Sequence, residues 1–221
     1  MRTTNLFTLS LLALFVVAPI QSSFGDFTTF TDRSAWEAAA GTLDFLEDFE
    51  GFTADEDFSF GSTSSPNGFT VGHSGNENFR NLIDVPPLDF NDGNGTASIS
   101  AFVEFGGKDT ITITPDDFLT AFGFETSQAA ESEGVLASFF DQNGNVLASV
   151  ILGNGIDDFV GVTASNGMLI GGVEFIALND FPGGAGEGFR LDNFGGAVVP
   201  EPSTIFVLAT CSLAMARRRR A

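Results

Sequence analysis

The sequence predicts an all-β fold, an antiparallel β-sandwich of jelly-roll type with one short N-terminal helix, bracketed by an N-terminal signal peptide and a C-terminal hydrophobic helix. Three observations predict it. From Asp44 onward apolar residues recur with period two, as in Phe122 and Phe124, in Val135, Ala137 and Phe139, and in Val173, Phe175 and Ala177, which is the spacing of half-buried strands. Turn chemistry separates these runs: Asn143-Gly144, Asn154-Gly155, Asn166-Gly167 and Pro182-Gly183-Gly184, residues suited to the backbone angles of tight hairpins. The composition agrees, with 26 phenylalanines, 26 glycines, one tryptophan and no tyrosine, as expected of a thick sandwich core joined by many turns. Strands at such short spacing with no helices between them argue against an α/β architecture.

Taken in order, residues 1–25 carry one basic residue, Arg2, an apolar run from Leu9 to Ile20, and the small residues Ser23 and Gly25. That is the pattern of a secretory signal peptide cleaved before Asp26. Residues 26–197 form one domain, long enough for a sizeable core. Its first element is a helix, with Asp32 as N-cap, Arg33 to Ala40 as body and Gly41 as the stop. Trp36 and Ala40 lie four apart and share the face that docks on the sandwich. The expected strands are Asp44–Phe52, Phe69–Gly72, Thr96–Phe105, Thr110–Thr114, Leu119–Thr126, Val135–Phe140, Val146–Leu152, Asp157–Ala164, Ile170–Leu178 and Gly188–Phe194. The Ser-, Gly- and acid-rich stretch Thr53 to Gly68 reads as a mobile loop.

Without both ends the chain keeps four basic residues (Arg33, Arg80, Lys108, Arg190) against 28 acids, the 29 of the whole chain less Glu201, for a net charge of −24. Nucleic acid is excluded as a partner, because neutralising phosphates needs a basic patch. The acidity suits either a well-solvated surface or hard divalent cations. The single cysteine, Cys211, lies near the C-terminus, so the domain has neither a disulfide nor a thiol nucleophile.

Residues 198–221 read VVPEPSTIFVLATCSLAMARRRRA. Pro200, Glu201 and Pro202 form an extended tether, since each proline fixes φ and lacks an N–H. The apolar run 205–216 follows, then Arg217, Arg218, Arg219 and Arg220. From Ser203 to Ala216 a helix reaches about 21 Å, short of the roughly 30 Å hydrocarbon core. The arginines hold the cytoplasmic side and leave the domain outside. With its three features in this order, the tail resembles the C-terminal signal of the PEP-CTERM proteins of Gram-negative bacteria. The resemblance implies recognition by exosortase, a membrane-embedded protease, transient anchoring in the inner membrane through residues 205–216, and delivery to the cell surface or extracellular matrix.

Candidate sites are fewer. Asp89–Gly95 and Asp141–Asn145 look like calcium loops, but neither has the glutamate that an EF-hand needs at its twelfth position; the second reads as a hairpin turn. The segments Asp48-Phe49-Glu50-Gly51 and Leu191-Asp192-Asn193-Phe194 are weakly similar to jelly-roll carbohydrate-binding modules. That resemblance implies a structural Ca²⁺ held by Glu50 and Asp192, with Asp48 in reserve; the alternative is that both acids face solvent or pair with Arg190. His73, the only histidine, reads as a polar loop residue. Thr110-Ile111-Thr112-Ile113-Thr114 reads as one strand with isoleucines inward and threonines outward, a single rank and not a face. The expected function is an exported, non-enzymatic polysaccharide-binding or structural module. The alternative is an extracellular hydrolase using paired carboxylates.

Overall fold

The computed structural model describes residues 27–59, 61–75, 80–86, 96–103, 109–127, 134–152, 158–178 and 187–198. The signal peptide, the Asp89–Gly95 loop, the turns at Asn154-Gly155 and Pro182-Gly183-Gly184, and the tail with Pro200, Glu201, Pro202 and Arg217 to Arg220 lie outside the described residues. Among the described residues no helix is long and apolar enough to cross a membrane.

The described elements are β1 (Phe27–Phe30), α1 (Arg33–Ala40), β2 (Phe45–Glu47), β3 (Glu56–Asp57), β4 (Thr63–Ser64), β5 (Phe69–Ser74), β6 (Leu82–Asp84), β7 (Ser98–Val103), β8 (Thr110–Pro115), β9 (Leu119–Ser127), β10 (Val135–Asp141), β11 (Val146–Leu152), β12 (Asp158–Ala164), β13 (Ile170–Ala177) and β14 (Glu187–Val198). The helix stands where its caps place it. Asp32 Oδ1 accepts from Ala35 N at 2.7 Å, and Gly41 takes the left-handed φ of 81° that ends it.

The strands form one large, nearly barrel-shaped antiparallel sheet with two leaves. The first leaf runs β3-β6-β7-β14-β9-β12-β1, with β2 beside the far end of β14. The second runs β11-β10-β13-β8-β5-β4. One residue pair, Ile170↔Leu119, links β13 of the second leaf to β9 of the first. Between the leaves the phenylalanines form the core. Phe69, Phe122, Phe124, Phe175 and Phe194 are fully buried, and Phe69 and Phe194 approach to 4.8 Å between ring centroids. Such ring pairs add about 0.5–1.5 kcal/mol beyond the area they bury.

Several boundaries differ from the sequence expectation. The expected strand Asp44–Phe52 is only Phe45–Glu47, because the chain turns at Phe49, whose φ is 57°. Glu47 Oε1 accepts from Phe49 N at 2.7 Å, and the Phe49 ring is fully buried, edge-on to Phe194 at 5.8 Å. Packing and hydrogen bonding hold this non-glycine residue in the left-handed region. The stretch expected as a mobile loop, Thr53 to Gly68, contains β3 and β4 and buries Phe58, where Ser59 and Asn81 exchange hydrogen bonds of 2.6 and 3.2 Å. Strands β1 and β6 are too short to show a period of their own and exist through their partners β12 and β7. Strand β14 runs on to Val198, where the motif-bearing tail begins.

Candidate binding face

Asp48 and Glu50 lie in the turn after β2, not within a strand. Asp48 Oδ1 accepts from Glu50 N at 3.2 Å. Glu50 Oε1 reaches across to accept from Ala97 N at 3.0 Å. Asp192, on β14, accepts from the Thr96 hydroxyl at 3.2 Å and from Asn193 N at 2.6 Å. Glu50 and Asp192 thus bond to the consecutive residues Ala97 and Thr96, and Asp48 is exposed. Among the described residues no three His, Cys, Asp or Glu side chains gather to hold a metal. Arg190 lies buried, donating to Asp84 Oδ2 at 2.8 Å and to Ser98 Oγ at 2.6 Å.

His73 is not a loop residue. It sits on β5 in phase with Phe69 and Val71, so its ring points between the leaves and is wholly buried against the Asp109 carboxylate. Burying an imidazole demands a polar partner, and Asp109, in phase with Ile111 and Ile113, supplies one. His73 Nδ1 meets no hydrogen-bond partner among the described residues.

The outer surface of the second leaf has a different character. Ile111 and Ile113 are buried, Thr112 and Thr114 face outward, and Thr110, on the same side of the strand as these threonines, is itself buried. The rank that looked isolated in the sequence gains neighbours from the strands beside it: Thr114 is paired with Thr70, Thr112 with Gly72 and Thr110 with Ser74. Thr110 Oγ1 and Ser74 Oγ lie 2.5 Å apart. One row crosses the whole leaf through successive pairs, Ser149–Ser138–Glu174–Thr112–Gly72–Thr63. At a strand spacing of about 4.8 Å it spans roughly 24 Å. Ser138 and Ser149 hydrogen-bond at 3.0 Å within it. Leu136, Ile151 and Ile176 lie along one side of the row. Apart from Asp141 at the end of β10, Glu174 is the only carboxylate on these six strands. In a chain of net charge −20 this is a hydroxyl-bearing surface with a single carboxylate in its row, able to exchange hydrogen bonds with a polar ligand.

Asp141 belongs to the turn that closes the β10–β11 hairpin, as its sequence indicates. Its carboxyl pKa is lowered to about 2, chiefly by the Asn145 side chain, with help from the backbone N–H groups of Asn145 and Asn143. A cavity of about 230 Å³ opens beside the end of β14, lined by Asp44, Asn67, Asp116, Asp117, Leu119 and Val198. There Asp44 Oδ2 accepts from Val198 N at 2.7 Å.

Residues 198–220 match the PEP-CTERM protein-sorting motif. No curated protein matches the chain. Among solved structures, the K3 cleaved adhesin domain of Lys-gingipain from Porphyromonas gingivalis is 12% identical with a TM-score of 0.39, covering 71% of this chain and 99% of that one. A family 6 carbohydrate-binding module is 14% identical with a TM-score of 0.31, covering 66% and 94%. The enzymatically active domain of tailspike protein 4 from bacteriophage CBA120 is 18% identical with a TM-score of 0.35, covering 60% of this chain. The match spans only 20% of the length of that phage protein. The sorting motif marks an exported protein, transiently anchored at the membrane and processed by exosortase, a membrane protease.

Proposed function

We propose that this exported protein is a non-enzymatic polysaccharide-binding module of the cell surface or extracellular matrix of a Gram-negative bacterium, and that the outer face of the second leaf is its contact surface. The observation that carries the reading is the row Ser149–Ser138–Glu174–Thr112–Gly72–Thr63, four hydroxyls, one carboxylate and one glycine on strands whose one other carboxylate is Asp141 at the end of β10. Sugar hydroxyls both donate and accept, and so do Ser and Thr hydroxyls. Leu136, Ile151 and Ile176 give the apolar faces of the sugar rings a surface to cover.

The candidate acids support a binding role over paired-carboxylate hydrolysis, because Glu50, Asp192 and Asp48 each accept hydrogen bonds from the chain's own donors. The reading includes a jelly-roll arrangement of the two leaves and a structural Ca²⁺ at Glu50 and Asp192. It is supported by the convergence of both acids on Thr96 and Ala97, where the ion would offset their like charge. Calcium should then raise the melting temperature saturably, and Asp192→Ala should abolish the rise.

The test of function is co-sedimentation of the exported protein with insoluble polysaccharide from the producing cells. Wild-type protein is expected in the pellet and Gly72→Glu in the supernatant with unchanged melting, since a Cβ at Gly72 meets nothing closer than 3.7 Å. Equal retention of both proteins would sink the assignment of the face, and release of reducing sugar would turn the reading to a hydrolase.

A further inference from the structure

We propose that β11 pairs edge to edge with β11 of a second copy of this chain, antiparallel about a two-fold axis at Ser149, joining two second leaves into one continuous sheet.

Three observations carry this. First, β11 closes one side of its leaf; among the described strands it pairs with β10 alone, and β1 of the first leaf runs close to it without forming a ladder. Its outer backbone groups form the kind of row that templates another strand. Second, none of the usual protections of an edge is present in its sequence, Val146-Leu147-Ala148-Ser149-Val150-Ile151-Leu152. It has no lysine, no proline and no charge. Its one irregularity is a bulge opposite Phe139 and Phe140, near the turn, which leaves Ala148 to Leu152 regular. Val146 is 59% and Ile151 64% exposed, so large apolar side chains stand in water at both ends of the strand.

Third, the occupant is selected by charge and by symmetry. Copies of a chain with net charge −20 repel one another, and they can approach only where that charge is missing. The hairpin Val135–Leu152 holds a single acid, Asp141, at its turn. Antiparallel pairing about Ser149 sets Ser149 opposite its own copy and Ala148 opposite Val150, so like meets like and no polar group faces an apolar one. Such a contact is isologous and closes at two copies. The axis stands perpendicular to the sheet, so both outer faces point the same way. The row ending at Ser149 then continues into its copy and doubles in length.

The experiment is sedimentation equilibrium of the exported protein over a concentration series, with melting temperature as the fold check. The expected result is a concentration-dependent dimer for wild type and a monomer of unchanged melting temperature for Ile151→Glu, which places two carboxylates near the axis. In a Cys211→Ser background, Ser149→Cys should form a disulfide-linked dimer under mild oxidation, because directly opposed residues bring their Cβ atoms within about 4.5–5.5 Å, and Asn143→Cys should not. A wild type that stays monomeric throughout overturns the proposal. So does a dimer that survives Ile151→Glu and forms no Ser149→Cys disulfide, since its contact lies elsewhere.

Discussion

On the first leaf α1 closes part of the outer surface, with Trp36 pressed over the facing pair Gly123 and Gly161. On the second leaf no helix among the described residues covers the outer surface, which carries hydroxyls. The two leaves share strand chemistry and a common phenylalanine core, so the difference arises from what lies on their far sides. Beneath Trp36 a Cβ on Gly161 would stand 2.6 Å from the indole, and one on Gly123 would meet Phe159 at 2.7 Å. The glycines there make room for the helix, and Trp36 Nε1 is satisfied by Val162 O at 3.1 Å. Arg33 fastens the helix to Glu125 at 2.8 Å and to the Asn193 carbonyl at 3.1 Å. Along the rest of that face the Arg190–Asp84 pair lies buried. On the second leaf a Cβ on Gly72 would meet nothing so close, with Thr63 at 3.7 Å and Thr112 O at 4.0 Å. Glycines under a helix serve packing, whereas Gly72 on the hydroxyl row has room for a Cβ.

The contrast predicts where substitutions act. Trp36→Ala should have the largest effect, a loss of about 5 kcal/mol at the upper end for a buried tryptophan, because the cavity is compounded by the lost Nε1–Val162 hydrogen bond; urea unfolding measures it. Asp84→Ala should follow at about 3–4 kcal/mol, since it strands a buried guanidinium. A double-mutant cycle with Arg190→Met separates that penalty from the net worth of the pair. On the open leaf, Thr112→Ala should change stability by no more than about 0.5 kcal/mol and act on polysaccharide retention instead; an equally large stability loss there would erase the distinction between the leaves.

The smallest effect expected is that of pH on Asp141. Its folded pKa, about 2, lies below the ordinary 3.8, so the native state favours the ionised form. The stabilisation is present above pH 3.8 and is lost as pH falls toward 2. Asp141→Asn should remove that part of the acid dependence, read from melting temperatures between pH 5 and 2.

Much of this was legible along the chain. The caps of α1 appear as Asp32 and Gly41 because capping is local, and the Asn143-Gly144 and Asn166-Gly167 turns appear for the same reason. The Phe49 turn was hidden inside a strand-like run, since a phenylalanine with positive φ is tolerated only where its ring is buried by residues as distant as Phe194. His73 looked like a loop residue because its partner Asp109 lies 36 positions away. The calcium candidates Glu50 and Asp192 were brought to one segment, but with Ala97 N and Thr96 as their partners, a pairing that no spacing encodes.

By itself, then, the sequence determined the all-β class, the helix and the sorting motif at residues 198–220, all of which rest on periods, caps and contiguous residues. Only the tertiary structure decided which strand lies beside which. That choice turns Thr110 to Thr114 from one rank into part of a face, sets Arg190 on Asp84 across 106 positions and leaves β11 at an edge. The physical reason is that sheet register depends on burying one side of every strand at once, a condition that no single segment of the chain can express.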